Sequence, residues 1–143
     1  MSGSLRRTIR IVGYFWAAPN TLTAVAIGLL LGGRFEWVNG VIEISGPRIA
    51  WSLSQMPMPA RAMTIGHVVF GTDRFTLRVT RVHERVHVRQ YERWGPLFVP
   101  AYLGAFLWLT LCRRDGYREN PFEIEAYRTD TPDFRAATRQ PGE

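Results

Sequence analysis

The stretch His83-Glu84-Arg85-Val86-His87 constrains this chain more than any other. On a helix, residues four apart lie one above the other. At roughly 100° per residue the two imidazoles fall within about 40° of each other. Imidazoles so placed can hold one zinc ion, with Glu84 beside it as general base. Gln90 and Trp94 continue the histidine face, while Arg81, Arg85, Arg89 and Arg93 form a stripe opposite, facing water or an anionic surface. The plainer alternative is a helix that happens to carry two histidines. The chain has only three histidines, and two of them stand in this spacing with Glu84 between them, which favours a metal.

No other residue class competes for that role. Cys112 is the only cysteine, so there is neither a disulfide framework nor a thiolate site, and any metal must be held by histidine and carboxylate. A composition 46% hydrophobic and 21% charged excludes a disordered chain, and 143 residues suit one domain. The net charge of +6 is carried by arginine and points to nucleic acid or to an anionic membrane. No nucleic-acid motif is present and the arginines flank apolar stretches, so membrane lipid is the expected partner and nucleic acid is not.

Residues 1–33 form a basic and then apolar N-terminal segment. Its run from Ile11 to Gly33 carries no charge and is long enough to cross a bilayer of ~30 Å. Three readings compete: a membrane anchor, a signal peptide, or a buried element interrupted at Pro19-Asn20, which would leave Thr21 to Leu31 as a short helix. Residues 34–128 read as a minimal α+β domain, in which a small antiparallel sheet packs on the motif helix and a second, ligand-bearing helix. Asn39-Gly40 between β-prone runs predicts a hairpin. Ile49 to Leu53 reads as a third strand and Met63 to Phe70 as a fourth. Phe75, Leu77 and Val79 alternate and could extend the sheet or equally begin the motif helix, which is expected to start between Thr76 and Thr80 and to end at Gly95-Pro96. Leu97 to Cys112 is uncharged and short for a spanning helix, which suits packing over the metal site, a dip into one leaflet, or an ordinary core helix. Residues 129–143 read as a mobile tail.

Zinc in a catalytic site usually takes a third protein ligand. No histidine follows His87, so a carboxylate must serve. In Asn120-Pro121-Phe122-Glu123-Ile124-Glu125-Ala126-Tyr127, Asn120 is a good N-cap and Pro121 suits the first helical position. Glu123 then shares a face with Ala126 and Tyr127, and Glu125 points away. Glu119 and Glu125 are the other possible ligands. Glu123 could instead serve only as the carboxylate of a capping box.

His83-Glu84-x-x-His87 followed by Glu123-x-x-Ala126 resembles the gluzincin metallopeptidases. Within them it is most similar to the membrane-bound CAAX prenyl protease and bacterial heat-shock peptidase group, whose third ligand lies in Glu-x-x-Ala-Asp. The run through Gln90, Gly95-Pro96 and Asn120 to Glu123 also resembles small bacterial proteins with apolar N-termini. This resemblance covers residues 64–128. It implies a zinc peptidase of the bacterial inner membrane acting on a peptide or protein substrate, with Glu84 as base and His83, His87 and Glu123 as ligands. The family's histidine-orienting Asp is replaced by Tyr127, and only Asp130 lies near in sequence. An oxyanion donor would come from His67, Tyr102 or Tyr117, although His67 suits a place in the sheet better. A substrate strand could add to an edge at residues 64–70. The rivals are a zinc-stabilised scaffold that does not cut, and an arginine-rich binder with no metal.

Overall fold

A computed structural model describes residues 3–130; of the tail expected at 129–143, Thr129 and Asp130 continue a helix instead and the rest lies outside the described residues. The chain is α+β, with helices around a small mixed sheet and an apolar helix at the N-terminus. The elements are α1 (Gly3–Leu30), β1 (Arg34–Val38), β2 (Val41–Ser45), α2 (Pro47–Ser54), β3 (Ala62–Ile65), β4 (Val68–Gly71), α3 (Arg74–Trp94), α4 (Phe98–Leu111) and α5 (Pro121–Asp130), with a 3-10 turn at Gly95–Leu97.

The strand order is β1-β2-β4-β3. Asn39 (φ 48°) and Gly40 (φ 84°) make the first hairpin turn, with Val38 opposite Val41. A second hairpin joins β3 to β4 through Gly66 and His67. The expected single strand from Met63 to Phe70 is therefore two strands. Gly66 (φ 61°) reverses the chain where its missing Cβ also lets Thr21 of α1 approach. The sheet is mixed, not purely antiparallel as the sequence suggested. β2 and β4 run parallel, from Ile42 opposite Val68 to Ser45 opposite Gly71, because α2 and β3 carry the chain back before β4 begins.

The expected strand at Ile49 to Leu53 is helix α2. Pro47 sits in its first turn and has no N–H to lose there, and Ile49 and Leu53, four apart, are the two residues it buries. Helix α3 starts earlier than expected. Asp73 caps it, its Oδ1 accepting from the Thr76 N–H at 2.7 Å, so Phe75, Leu77 and Val79 are helical and not an extension of the sheet.

Side chains alternate across the sheet. Ile44, Val68 and Phe70 meet Ala24, Ile49 and Leu53 on one face, while Val41 and Val69 meet Leu77 and Val88 of α3 on the other. Each fully buried aliphatic side chain there stabilises the fold by about 1.5–3 kcal/mol. Glu43 lies on the α3 face and is bound by both guanidinium arms of Arg81, at 2.8 and 2.9 Å. The arginine stripe of α3 therefore does not lie wholly in water, since its first members turn to the sheet.

Helix α1 is continuous through Pro19, so the interruption that one of the three readings placed at Pro19-Asn20 does not occur, and its inner face joins the core. Small residues make its inner stripe. Ala17 and Ala24 are fully buried, and a Cβ on Gly28 would lie 2.5 Å from the Ile44 Cδ1. The large apolar residues point outward, with Phe15 77%, Leu22 70% and Leu30 80% exposed. Helix α4 exposes Leu103, Leu107, Trp108 and Leu111. By length and composition, Arg7–Leu30 and the helical stretch Arg74–Leu111 are each long and apolar enough to cross a membrane.

Candidate metal centre

Three elements build the centre. Helix α3 presents His83, Glu84 and His87, all buried, and α5 presents Glu123, which is 3% exposed. Asn120 fixes the start of α5. It is fully buried, its Oδ1 accepts from the Phe122 N–H at 3.2 Å, and its Nδ2 donates to the Tyr102 carbonyl of α4 at 3.2 Å. The capping-box alternative for Glu123 is not taken up. Its Oε1 accepts from the Tyr102 hydroxyl at 2.7 Å, and its carboxylate faces the two histidines.

His83 Nε2 and His87 Nε2 are 3.2 Å apart. Glu123 Oε2 lies 3.2 Å from His83 Nε2, and Oε1 lies 3.5 Å from His87 Nε2. One ligand atom from each residue falls within 4.8 Å of the other two, so the buried group could hold a metal ion. Oε2 is buried with no well-directed hydrogen bond, as an acceptor kept for a further partner would be.

Gln90 sets the tautomer of His87. It is fully buried, and its Nε2 donates to the Phe122 carbonyl at 3.0 Å and to Glu125 Oε2 at 2.9 Å. Both of those partners only accept, so the amide oxygen must be the atom 2.8 Å from His87 Nδ1. Nδ1 therefore carries the hydrogen, and Nε2 offers its lone pair to the centre. For His83 the corresponding neighbour is Asp130, whose Oδ2 lies 4.0 Å from Nδ1, and the Tyr127 ring meets the imidazole edge-on at 4.6 Å.

The charges follow from this packing. Burial pushes the Glu123 carboxyl up, but its close contacts with His83 and His87 and the hydrogen bond from Tyr102 outweigh it and hold the group at about 2. Burial lowers His87, and its contacts with Glu123 more than reverse that, so its net shift is upward. Glu84 moves up because burial dominates over the opposing pull of His87 and of the Thr64 hydroxyl, which donates to Oε2 at 2.5 Å.

The remaining residues named from the sequence lie elsewhere. Glu125 binds Gln90 and Arg93, and Glu119 binds Arg114. His67 lies against α1 and α3, its ring stacked on Tyr14 at 4.0 Å and its Nε2 2.9 Å from Glu92 Oε1. Of the three oxyanion candidates, Tyr102 touches Glu123, and the Tyr117 hydroxyl lies 3.3 Å from that of Tyr127.

Sequence reading missed two contributions and named a third, Asp130, without a spacing to support it. Thr64 reaches Glu84 from β3, a non-local contact with no signal in the sequence. The linking role of Gln90 was hinted at only by its place three residues after His87. Asp130 shares a face with Glu123 and Tyr127 at helical spacing, visible only once α5 is known to continue through it. No family model, curated protein or solved structure matches the chain.

Proposed function

We propose that this chain is a membrane-associated, zinc-dependent peptidase with His83, His87 and Glu123 as ligands and Glu84 as general base. One observation carries the reading. Zinc bonds of about 2.0–2.1 Å at tetrahedral angles put neighbouring ligand atoms about 3.3 Å apart, and the three separations here are 3.2, 3.2 and 3.5 Å. The donor set of two neutral imidazoles and one carboxylate is also the set that zinc hydrolases use. A bound zinc ion would act as a Lewis acid and bring the pKa of a water molecule towards about 7.

The protein's own groups would do the rest. Glu84 would take the proton of the attacking water and deliver it to the leaving amine. Burial raises its basicity above that of an ordinary carboxylate, the direction a general base needs. Thr64 would hold one carboxylate oxygen of Glu84 and leave the other to act. β3 lies at the edge of the sheet beside α3, where an extended peptide could add as a further strand. The outward apolar faces of α1 and α4 would rest in a membrane, with the domain beside it.

A non-catalytic, zinc-stabilised membrane scaffold is the second reading. One observation favours it: an open cleft of about 630 Å3 among the described residues is lined by none of His83, His87 or Glu123. Glu84→Gln separates the two readings. The peptidase reading requires the variant to keep its zinc and its melting temperature while hydrolysis of a peptide library falls at least ~10²-fold. Zinc-loaded wild type that cuts nothing in the library would leave the scaffold, and protein that holds no stoichiometric metal would refute both.

A further inference from the structure

A second polar feature lies away from the metal centre. The cleft of about 630 Å3 crosses the outer side of α3, between Arg10 and Tyr14 of α1, the hairpin tip at Asn39, and Thr129 of α5. Its lining is strongly cationic, with Arg10, Arg81, Arg85 and Arg89 against one carboxylate, Glu92.

The protein itself occupies only half of that charge. Arg81 is taken by Glu43. Arg85 donates to the carbonyls of Val38 and Asn39 and shares Glu43 with Arg81 at 3.8 Å, so the two arginines have one carboxylate between them. Arg10 and Arg89 have no hydrogen bond or ion pair among the described residues. Glu92 is turned to His67. His67 is 3% exposed and also lines the cleft, and its Nδ1 is buried with no partner. Its Nε2 faces the Glu92 carboxylate and so carries the hydrogen, which leaves Nδ1 an acceptor that an anion would not satisfy, so the site rests on the cations.

The surroundings select the anion. Next to Arg10 on α1, Ile9, Ile11, Val12 and Phe15 are all at least half exposed. A guanidinium set beside outward apolar side chains is the arrangement that grips a headgroup phosphate while the apolar groups enter the acyl region. The geometry points to a binding site for the phosphodiester of an anionic lipid, held by Arg10 and Arg89 with Arg85 behind them. The site is separate from the metal centre and does not depend on its chemistry.

The test uses the full chain in phosphatidylcholine nanodiscs, titrated with phosphatidylglycerol vesicles and, separately, with inorganic phosphate. Two cations near an anionic surface together weigh roughly 30-fold in affinity. Arg10→Gln/Arg89→Gln should therefore bind phosphatidylglycerol about 30-fold more weakly. Arg48→Gln/Arg61→Gln removes the same charge from exposed positions away from the cleft and should change binding by less than about 3-fold. Circular dichroism melts of both double variants would show that each is folded. Equal losses in the two variants would overturn the site in favour of diffuse attraction. Inorganic phosphate binding as tightly as the lipid would overturn the lipid assignment, and wild type that binds neither probe would overturn the proposal outright.

Discussion

Gln90→Met tests how the metal centre is held together. Methionine keeps the volume of the side chain and removes every hydrogen bond it makes, so the packing term is nearly constant. Gln90 makes contacts of 2.8 Å to His87, 3.0 Å to Phe122 and 2.9 Å to Glu125. The Glu125 side chain is 42% exposed and regains water, so its loss weighs little. The His87 Nδ1–H is left without a partner, at about 1–3 kcal/mol, while the Phe122 carbonyl keeps its bond within α5 and loses little. The cost is about 2 kcal/mol, or a fall in melting temperature of about 4–8 °C for a chain of this size. A second effect should appear in metal affinity. With Nδ1 unpaired, nothing fixes the tautomer that presents Nε2, and zinc binding should weaken about 10–100-fold. Chelator competition measures the affinity and thermal melts of the metal-free protein measure the stability. A variant that melts like wild type and competes equally for zinc would show that Gln90 neither joins α3 to α5 nor orients His87.

Glu123→Ala should lower zinc affinity far more than Glu125→Ala, and metal analysis of the two side by side would reveal an equal or reversed effect. In metal-free protein, Glu123 should dominate the acid limb of stability. Its folded value of about 2 lies below the ordinary 4.5, so its contribution is full above that range and is lost as pH falls through about 2. Melts from pH 2 to 6 should show a shallower limb in Glu123→Gln, and an unchanged limb would remove the carboxylate from the account. Glu84 works in the opposite sense, because its raised value means that ionisation above the usual carboxylate range costs stability. Glu84→Gln should therefore stabilise the metal-free fold near pH 7, and a lower melting temperature there would contradict its burial in the charged form. Arg81→Met leaves Glu43 buried with only Arg85, 3.8 Å away, and should cost about 2–3 kcal/mol in urea unfolding. No loss would mean that Glu43 is hydrated or neutral.

The parts legible in the sequence were those set by short-range chemistry. The shared face of His83 and His87, the turn at Asn39-Gly40 and the helix start at Asn120-Pro121 each follow from residues within one or two turns of one another. Ile49 and Leu53 misled because a short window fits a strand and a buried helical face equally well, and Pro47 was the deciding signal. Asp73 was passed over as a cap because alternation at Phe75, Leu77 and Val79 imitates a strand. Contacts such as Thr64 with Glu84, or Arg81 with Glu43, join residues far apart in sequence, and no local pattern encodes them. The small inner stripe of α1 was hidden for a different reason. In a run apolar on every side, hydropathy carries no direction, and only side-chain size distinguishes inside from outside.

That arrangement of α1 has a consequence for the order in which the molecule assembles. The helix leaves the ribosome before the other described elements, yet some of its partners come late: Asn20 donates to the Gly95 carbonyl, and Ala17 packs with Tyr91 and Phe98. Until those residues are made, the Ala17 turn of α1 has nothing to pack against, and a chain in this state is open to aggregation. Its two surfaces do not compete. Whatever shelters Phe15, Leu22 and Leu30 meanwhile leaves Ala17, Ala24 and Gly28 uncovered on the other side, so the late-made helices can dock without first displacing it.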